Sequence, residues 1–234
     1  MHLVKRLALL QPNYIPWKGY FDMINMVDEF VIYVDAQYTK RDWRNRNLIK
    51  TINGVKWITI PVEVKNKYKQ SIKETKVSGN DWINNHVKIL NHNYSRAEYF
   101  EEVMWWLRNI YSSCEKQIYL SEINLLFIKG IVAYLGIKTK ISFSSDYVLE
   151  GNNSEKAMNI CLQAGAEEYL TGPAAKSYLD LEAFNRNNIK VKWMDYSVYK
   201  TYSQLYPPFI HEVSIIDLLF NNGKDSVNYM KSFS

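Results

Sequence analysis

Apolar and polar positions alternate along this chain in blocks of two kinds. Residues 3 to 10 form a short apolar run of the kind a buried strand makes, and a polar loop with two prolines, QPNYIPW, follows. The next segment, KGYFDMINMVDEF, has helical spacing, with Phe21, Ile24 and Val27 on one face. FVIYVD, residues 30 to 35, is apolar on both faces and predicts a second buried strand parallel to the first. From 46 to 62 two β-rich runs flank Asn53-Gly54, the strongest short signal for a hairpin turn. Residues 63 to 78 are Lys-rich and predict an exposed connection.

Helical periodicity returns at 81–94, 99–112 and 118–135, the last stopped by Gly136 as a C-cap. A strand at 139–144 follows, then a helix at 154–164 opened by Asn152 and Glu155 as a capping box. Strand 167–171, a helix opening at Pro173 and strand 190–195 complete the pattern. Strands alternating with helices predict an α/β fold: an open, mostly parallel sheet with a β-hairpin and a helical insertion. The 234 residues suit one domain, 1–234, with a mainly helical subdomain at about 80–136.

Composition narrows the class without naming a function. Hydrophobic residues make up 47% and charged residues 23%, an ordinary globular balance. No stretch reaches the length of a membrane span, and the LALL run is too short for a signal peptide core. Cys114 and Cys161 lack metal-ligand spacing and fall in helical patterns; two buried thiols in a cytoplasmic protein are expected. The net charge of +5 favours anionic ligands but falls short of a nucleic-acid signature. Aromatic content does stand out, at 18 Tyr, 7 Trp and 9 Phe. Such rings line sites for sugars and bases as well as cores.

In an open α/β sheet ligands bind beyond the carboxyl ends of the strands, and three such ends carry polar, constrained sequence. The first runs from Gln11 through Tyr14, Trp17, Gly19 and Tyr20, where a helix start offers backbone N–H groups to an anion. The second is DAQYTKRDWRNRNLIK, holding Asp35, Gln37, Tyr38, Lys40, Arg41, Arg44, Asn45, Arg46 and Asn47. Arginine forks suit phosphate or carboxylate, and Asn side chains suit sugar hydroxyls or an amide. Asp35 and Lys40 are the candidates for catalysis; Asp35 serves either as a general base or as the anchor of an arginine. The third is Thr171-Gly172-Pro173, a strand–helix turn or a second anion cradle. His86 falls on the predicted helix 81–94 near Trp82, His92 and His211 have no partner visible in sequence, and all three read as structural or surface residues. Nothing matches a Ser-His-Asp elbow, a CxxC pair, HExxH or a Walker loop, so no metal site is expected.

Taken together, QPNYIPWKGYF, DEFVIYVDAQYTKRDWRNRNLIK, GVKWITIPV, YLTGPAAKSYLD and SIIDLLFNNG resemble, in this order, the WbqC-like family. The resemblance covers about residue 8 to about residue 223. It implies a role in bacterial surface polysaccharide (O-antigen) assembly: transfer of an acyl or aminoacyl group to a nucleotide-linked amino sugar. The donor would be a CoA or carrier-protein thioester, or an acid activated by ATP. An acyl carrier protein is the implied protein partner, and neither nucleic acid nor a membrane span is expected. Where the resemblance implies Val-Pro-Asn-like residues before Ser214, Ile210, His211 and Glu212 stand here. A second, architectural resemblance is to the pantothenate-synthetase-like nucleotidyltransferase fold, with Trp17 and Tyr20 in the places of its histidines. The competing expectation is a non-catalytic module that recruits a carrier through the basic stretch holding Lys65, Lys67 and Lys69.

Overall fold

The computed structural model describes residues 4–233. Its centre is a five-stranded parallel sheet built from β1 (Arg6–Leu10), β2 (Glu29–Ile32), β5 (Lys140–Phe143), β6 (Glu168–Thr171) and β7 (Lys190–Trp193), in the order β5-β2-β1-β6-β7. Leu3, the first residue of the expected strand, lies outside the described residues, and that strand starts at Arg6. A separate antiparallel pair joins β3 (Arg46–Thr51) to β4 (Gly54–Thr59). The α/β class, the parallel sheet and the hairpin are as the residue pattern predicts.

The neighbouring strands β1 and β2 are mainly apolar because the sheet is covered on both sides there. Ala8, Phe30 and Ile32 face the larger cluster, packed with Phe21 and Ile24 of α1 (Lys18–Asn25). Val103 and Leu107 of α3 (Phe100–Cys114), Phe127 and Ile131 of α4 (Leu120–Tyr134), and Leu219 and Phe220 of α7 (Ile215–Asn222) belong to that same cluster. Leu7 and Val31, one position out of phase, point the other way against Ala157 and Ile160 of α5 (Asn153–Gln163) and Phe184 of α6 (Leu181–Arg186). The helices α2 (Asp81–Tyr94), α3 and α4 thus extend the core of one face. Cys114 and Cys161 are buried and free, and burial pushes both thiols up to about 12.

Three local details differ from expectation. The hairpin pairs Thr51 with Gly54, so its tip is Ile52-Asn53 rather than Asn53-Gly54. Gly54, at φ 96°, takes the left-handed position just after the turn, where a side chain would be strained. β2 ends at Ile32, so Asp35 stands in the loop beyond the strand. Pro173 opens a 3-10 turn, Pro173–Ser177, and a new cap at Asp180, accepting from Ala183 N at 3.0 Å, is needed to start α6. The Asn152–Glu155 capping box forms as read: Asn152 Oδ1 accepts from Ser154 N and Glu155 N, while Glu155 accepts from Asn152 N.

The helical group carries a buried polar contact with a measurable consequence. His86 sits 1% exposed, its Nδ1 accepting from Tyr14 Oη at 2.9 Å and its Nε2 donating to Thr59 O at 3.2 Å. Burial lowers its pKa from 6.5 to about 4, with the Thr59 contact opposing the shift. Between those values the unfolded chain takes up a proton that the folded chain refuses. The stability from neutral His86 is therefore complete above pH 6.5 and is lost as pH falls toward 4. Unfolding free energy should drop by about 3 kcal/mol across that window. Urea titrations at pH 7 and pH 4.5 on wild type and His86→Gln check this; an equal pH dependence in both would assign the loss elsewhere.

Candidate functional site

The chain leaves β1 toward β2 and β5 on one side, then returns to the other side of β1 for β6 and β7. Connections therefore diverge between β1 and β6, the switch point where an open α/β sheet forms a crevice at its carboxyl edge. A cleft of about 560 Å³ lies there. Leu9, Leu10 and Gln11 line it from β1 and the loop beyond, Tyr169 from β6, Tyr33 and Asp35 from beyond β2, and Asn153 and Lys156 from the first turn of α5. A second chamber of about 410 Å³ opens beside it, lined by Trp17, Trp43, Tyr196, Tyr199, His211 and Glu212. Asn13 lines both, so the two chambers are neighbours.

The loop between them is held tightly. Asn47 Nδ2 donates to Tyr14 O at 2.9 Å and Ile15 O at 2.8 Å, and Ser214 Oγ donates to Ile15 O at 2.7 Å. These bonds hold Ile15, a β-branched residue, at φ 41° with no exposed surface. Asn124 Nδ2 from α4 ties Pro12 O at 3.0 Å to Arg44 O at 2.7 Å. Gly19 is required by contact: a Cβ there would lie 2.4 Å from the Trp17 ring.

Arg44 is a half-buried cation of the polar chamber. Its guanidinium donates to Asn13 Oδ1 and pairs with Asp42 Oδ2 at 3.0 Å. Burial lowers its pKa, opposed by Asp42, yet an arginine stays charged. Lys156 makes no ion pair among the described residues. Asp35 accepts from Lys73 Nζ at 2.5 Å and from Ser144 Oγ at 2.6 Å. Burial alone would raise its pKa, but the Lys73 and Ser144 contacts and the charge of Lys156 together hold it below the ordinary carboxylate range. Its partner is thus a lysine, not the anticipated arginine, and such a carboxylate is a weak base.

The other residues read from sequence divide clearly. Gln11 and Gln37 line the polar chamber; Trp17 and Asn47 line the aromatic one. Tyr14 and Tyr20 are in the core, where Tyr14 Oη also meets Tyr111 Oη at 2.8 Å and Tyr20 Oη donates to Gln11 O. Tyr38 and Asn45 are buried, Asn45 donating to Ile60 O at 2.8 Å. Lys40 and Arg41 are exposed; Lys40 Nζ lies 5.5 Å from the Tyr68 ring centre. Arg46 stacks over Trp57 at 4.0 Å and donates to Arg41 O, lining neither chamber. Thr171, Gly172 and Pro173 line neither chamber; Gly172 lies behind the Tyr196 hydroxyl.

Sequence reading passed over Asn13, Asn153, Lys156, Tyr178, Tyr196 and Tyr199 as site residues. One signal was present: the Asn152–Glu155 capping box follows a strand, so the first turn of its helix must stand at the carboxyl edge of the sheet.

Fold and cleft define an α/β protein with a switch-point cleft, polar at one end and aromatic at the other. The profile of the WbqC-like protein family matches residues 11–229, and the chain belongs to that family. It is 48% identical over 228 residues to an uncharacterized protein of Mycobacterium tuberculosis, an overlap covering 97% of this chain and 98% of the relative. No solved structure matches it. Among the described residues no helix is long and apolar enough to cross a membrane, and no cluster of His, Cys, Asp or Glu could hold a metal ion.

Proposed function

We propose that the protein forms an amide on a nucleotide-linked amino sugar destined for bacterial surface polysaccharide, by N-acyl or aminoacyl transfer. In that reaction the amine nitrogen attacks the acyl carbon of a thioester or acyl-adenylate, the thiol or AMP departs, and the nitrogen gives up a proton. The observation that carries the reading is the polar chamber at the switch point, with Arg44, Lys156 and the Lys73-paired Asp35 in its lining. Two cations against one paired carboxylate suit a diphosphate. Gln11 and Asn13 supply amide groups for sugar or acyl oxygens.

Asp35 fits this scheme as a holder of the β2 loop. Asp35→Asn should weaken nucleotide-sugar affinity and lower the melting temperature while turnover at saturation falls only slightly. A roughly 100-fold fall in turnover with an unchanged melting curve would instead restore it as the base.

The reading itself is tested by the surface polysaccharide of a strain lacking the protein. The expected result is an intact sugar backbone missing one N-linked substituent. An unchanged substituent pattern would rule the reaction out.

A binding module for an acyl carrier is the second reading, favoured by the exposed Lys65, Lys67 and Lys69 around Tyr68, which is itself 73% exposed. Reversing those three charges should leave amide formation intact under the first reading and abolish partner capture under the second.

A further inference from the structure

The cleft is split in its charge. The polar chamber carries Lys156 without an ion-pair partner among the described residues, so its bias is positive. The aromatic chamber carries one acid in its lining, Glu212, and no Lys or Arg. Glu212 is exposed to that space and makes no ion pair among the described residues.

Two lysines stand behind the aromatic wall. Lys18 Nζ lies 4.8 Å from the Tyr199 ring centre and Lys231 Nζ 5.1 Å from it. Lys231 pairs with Asp195 at 3.1 Å, and Asp22 attracts Lys18. His211 is held neutral near pH 7, its pKa lowered by burial and by Lys18 against the pull of Glu212. Glu212, by contrast, stands in the lining itself. It sits beside Trp17, Trp43 and Tyr196, whose ring faces carry negative quadrupole.

Aromatic faces and a lone carboxylate, with no fixed cation in the lining, make a place for an organic cation. We propose that the aromatic chamber is a subsite for a protonated primary amine, seated against Trp17 and Trp43 with Glu212 as its counter-charge. With Asn13 lining both chambers, one ligand can place phosphate near Arg44 and Lys156 and an ammonium near Glu212. The identity of the phosphate end rests on the nucleotide-sugar reading; the amine subsite does not.

The test is a titration followed by tryptophan emission, using UDP-glucosamine against UDP-glucose, and free glucosamine against glucose. The amine should tighten binding about tenfold in each pair at pH 7, and Glu212→Gln should erase the difference while leaving UDP binding unchanged. A Trp43→Phe variant should lose most of the emission change, reporting that the signal arises in the chamber. Equal affinity for amine and hydroxyl sugars, or an amine preference that survives Glu212→Gln, overturns the subsite. Failure of UDP to bind, with a Glu212-dependent preference for free glucosamine intact, would sink the nucleotide reading and leave the amine subsite standing.

Discussion

Asp217→Ala should lower the unfolding free energy by about 3 to 5 kcal/mol, the usual consequence of removing one partner from a buried, charge-bearing network. Asp217 has no exposed surface. Its carboxylate accepts from Tyr202 Oη at 2.7 Å, Tyr94 Oη at 2.9 Å and Gln204 Nε2 at 3.0 Å. Burial raises its pKa, while those three hydrogen bonds and the charge of Lys50 pull the other way. Lys50, also without exposed surface, donates to Pro208 O, and its backbone N–H donates to Tyr94 Oη. Deleting the carboxylate would take an acceptor from two hydroxyls and an amide, and the counter-charge from the Lys50 ammonium, in a dry interior where each lost partner costs about 1 to 3 kcal/mol before relaxation. Urea unfolding at pH 7 measures the effect; a loss under 1 kcal/mol would mean the network contributes nothing. The same substitution should reach the cleft. Gln204 grips Ile210 at both backbone atoms, donating to its carbonyl at 2.8 Å and accepting from its N–H at 2.9 Å. His211 and Glu212 follow directly and line the aromatic chamber.

Arg44→Met should weaken UDP binding by roughly 30- to 100-fold, about 2 to 3 kcal/mol, the range for a hydrogen bond to a charged group. Arg44→Lys should restore little of it, because an ammonium keeps the charge but lacks the planar fork. Arg46→Ala serves as the comparison. It stacks on Trp57 outside both chambers and should leave UDP affinity within about twofold, with a stability cost near 0.5 to 1 kcal/mol from the lost cation–π contact. Isothermal calorimetry on the three variants decides; equal losses in Arg44→Met and Arg46→Ala would place the phosphate site outside the polar chamber. Because Arg44 also holds Asn13 and Asp42, a melting curve on each variant separates misfolding from lost affinity.

The basic segment shows where local reading stopped. RNRN looks like four ligand-binding side chains in a row, yet the strand pleat and the loop before it send them different ways. Arg44 enters the cleft, while Asn45 turns to Ile60 O, Arg46 to Trp57 and Asn47 to the carbonyls of Tyr14 and Ile15. An Asn that satisfies a buried backbone carbonyl and an Asn that grips a sugar oxygen have the same sequence signature. Tyr14 misled in the same way, since its hydroxyl serves the buried His86–Tyr111 chain rather than a ligand.

The sequence by itself determined most of the elements, though not α7, and the edge at which a ligand could bind. Short apolar runs and period-3.6 patterns marked the strands and helices, Asn152 and Glu155 capped α5, and two-faced apolar runs required a covered parallel sheet. What only the tertiary structure decided was the membership of the cleft. Asn13, Arg44, Lys156, Tyr196 and Glu212 are scattered across some two hundred positions and carry no shared spacing. They meet because β6 pairs with β1 on the side opposite β2, and strand order is chosen by the packing of whole layers rather than by any local segment.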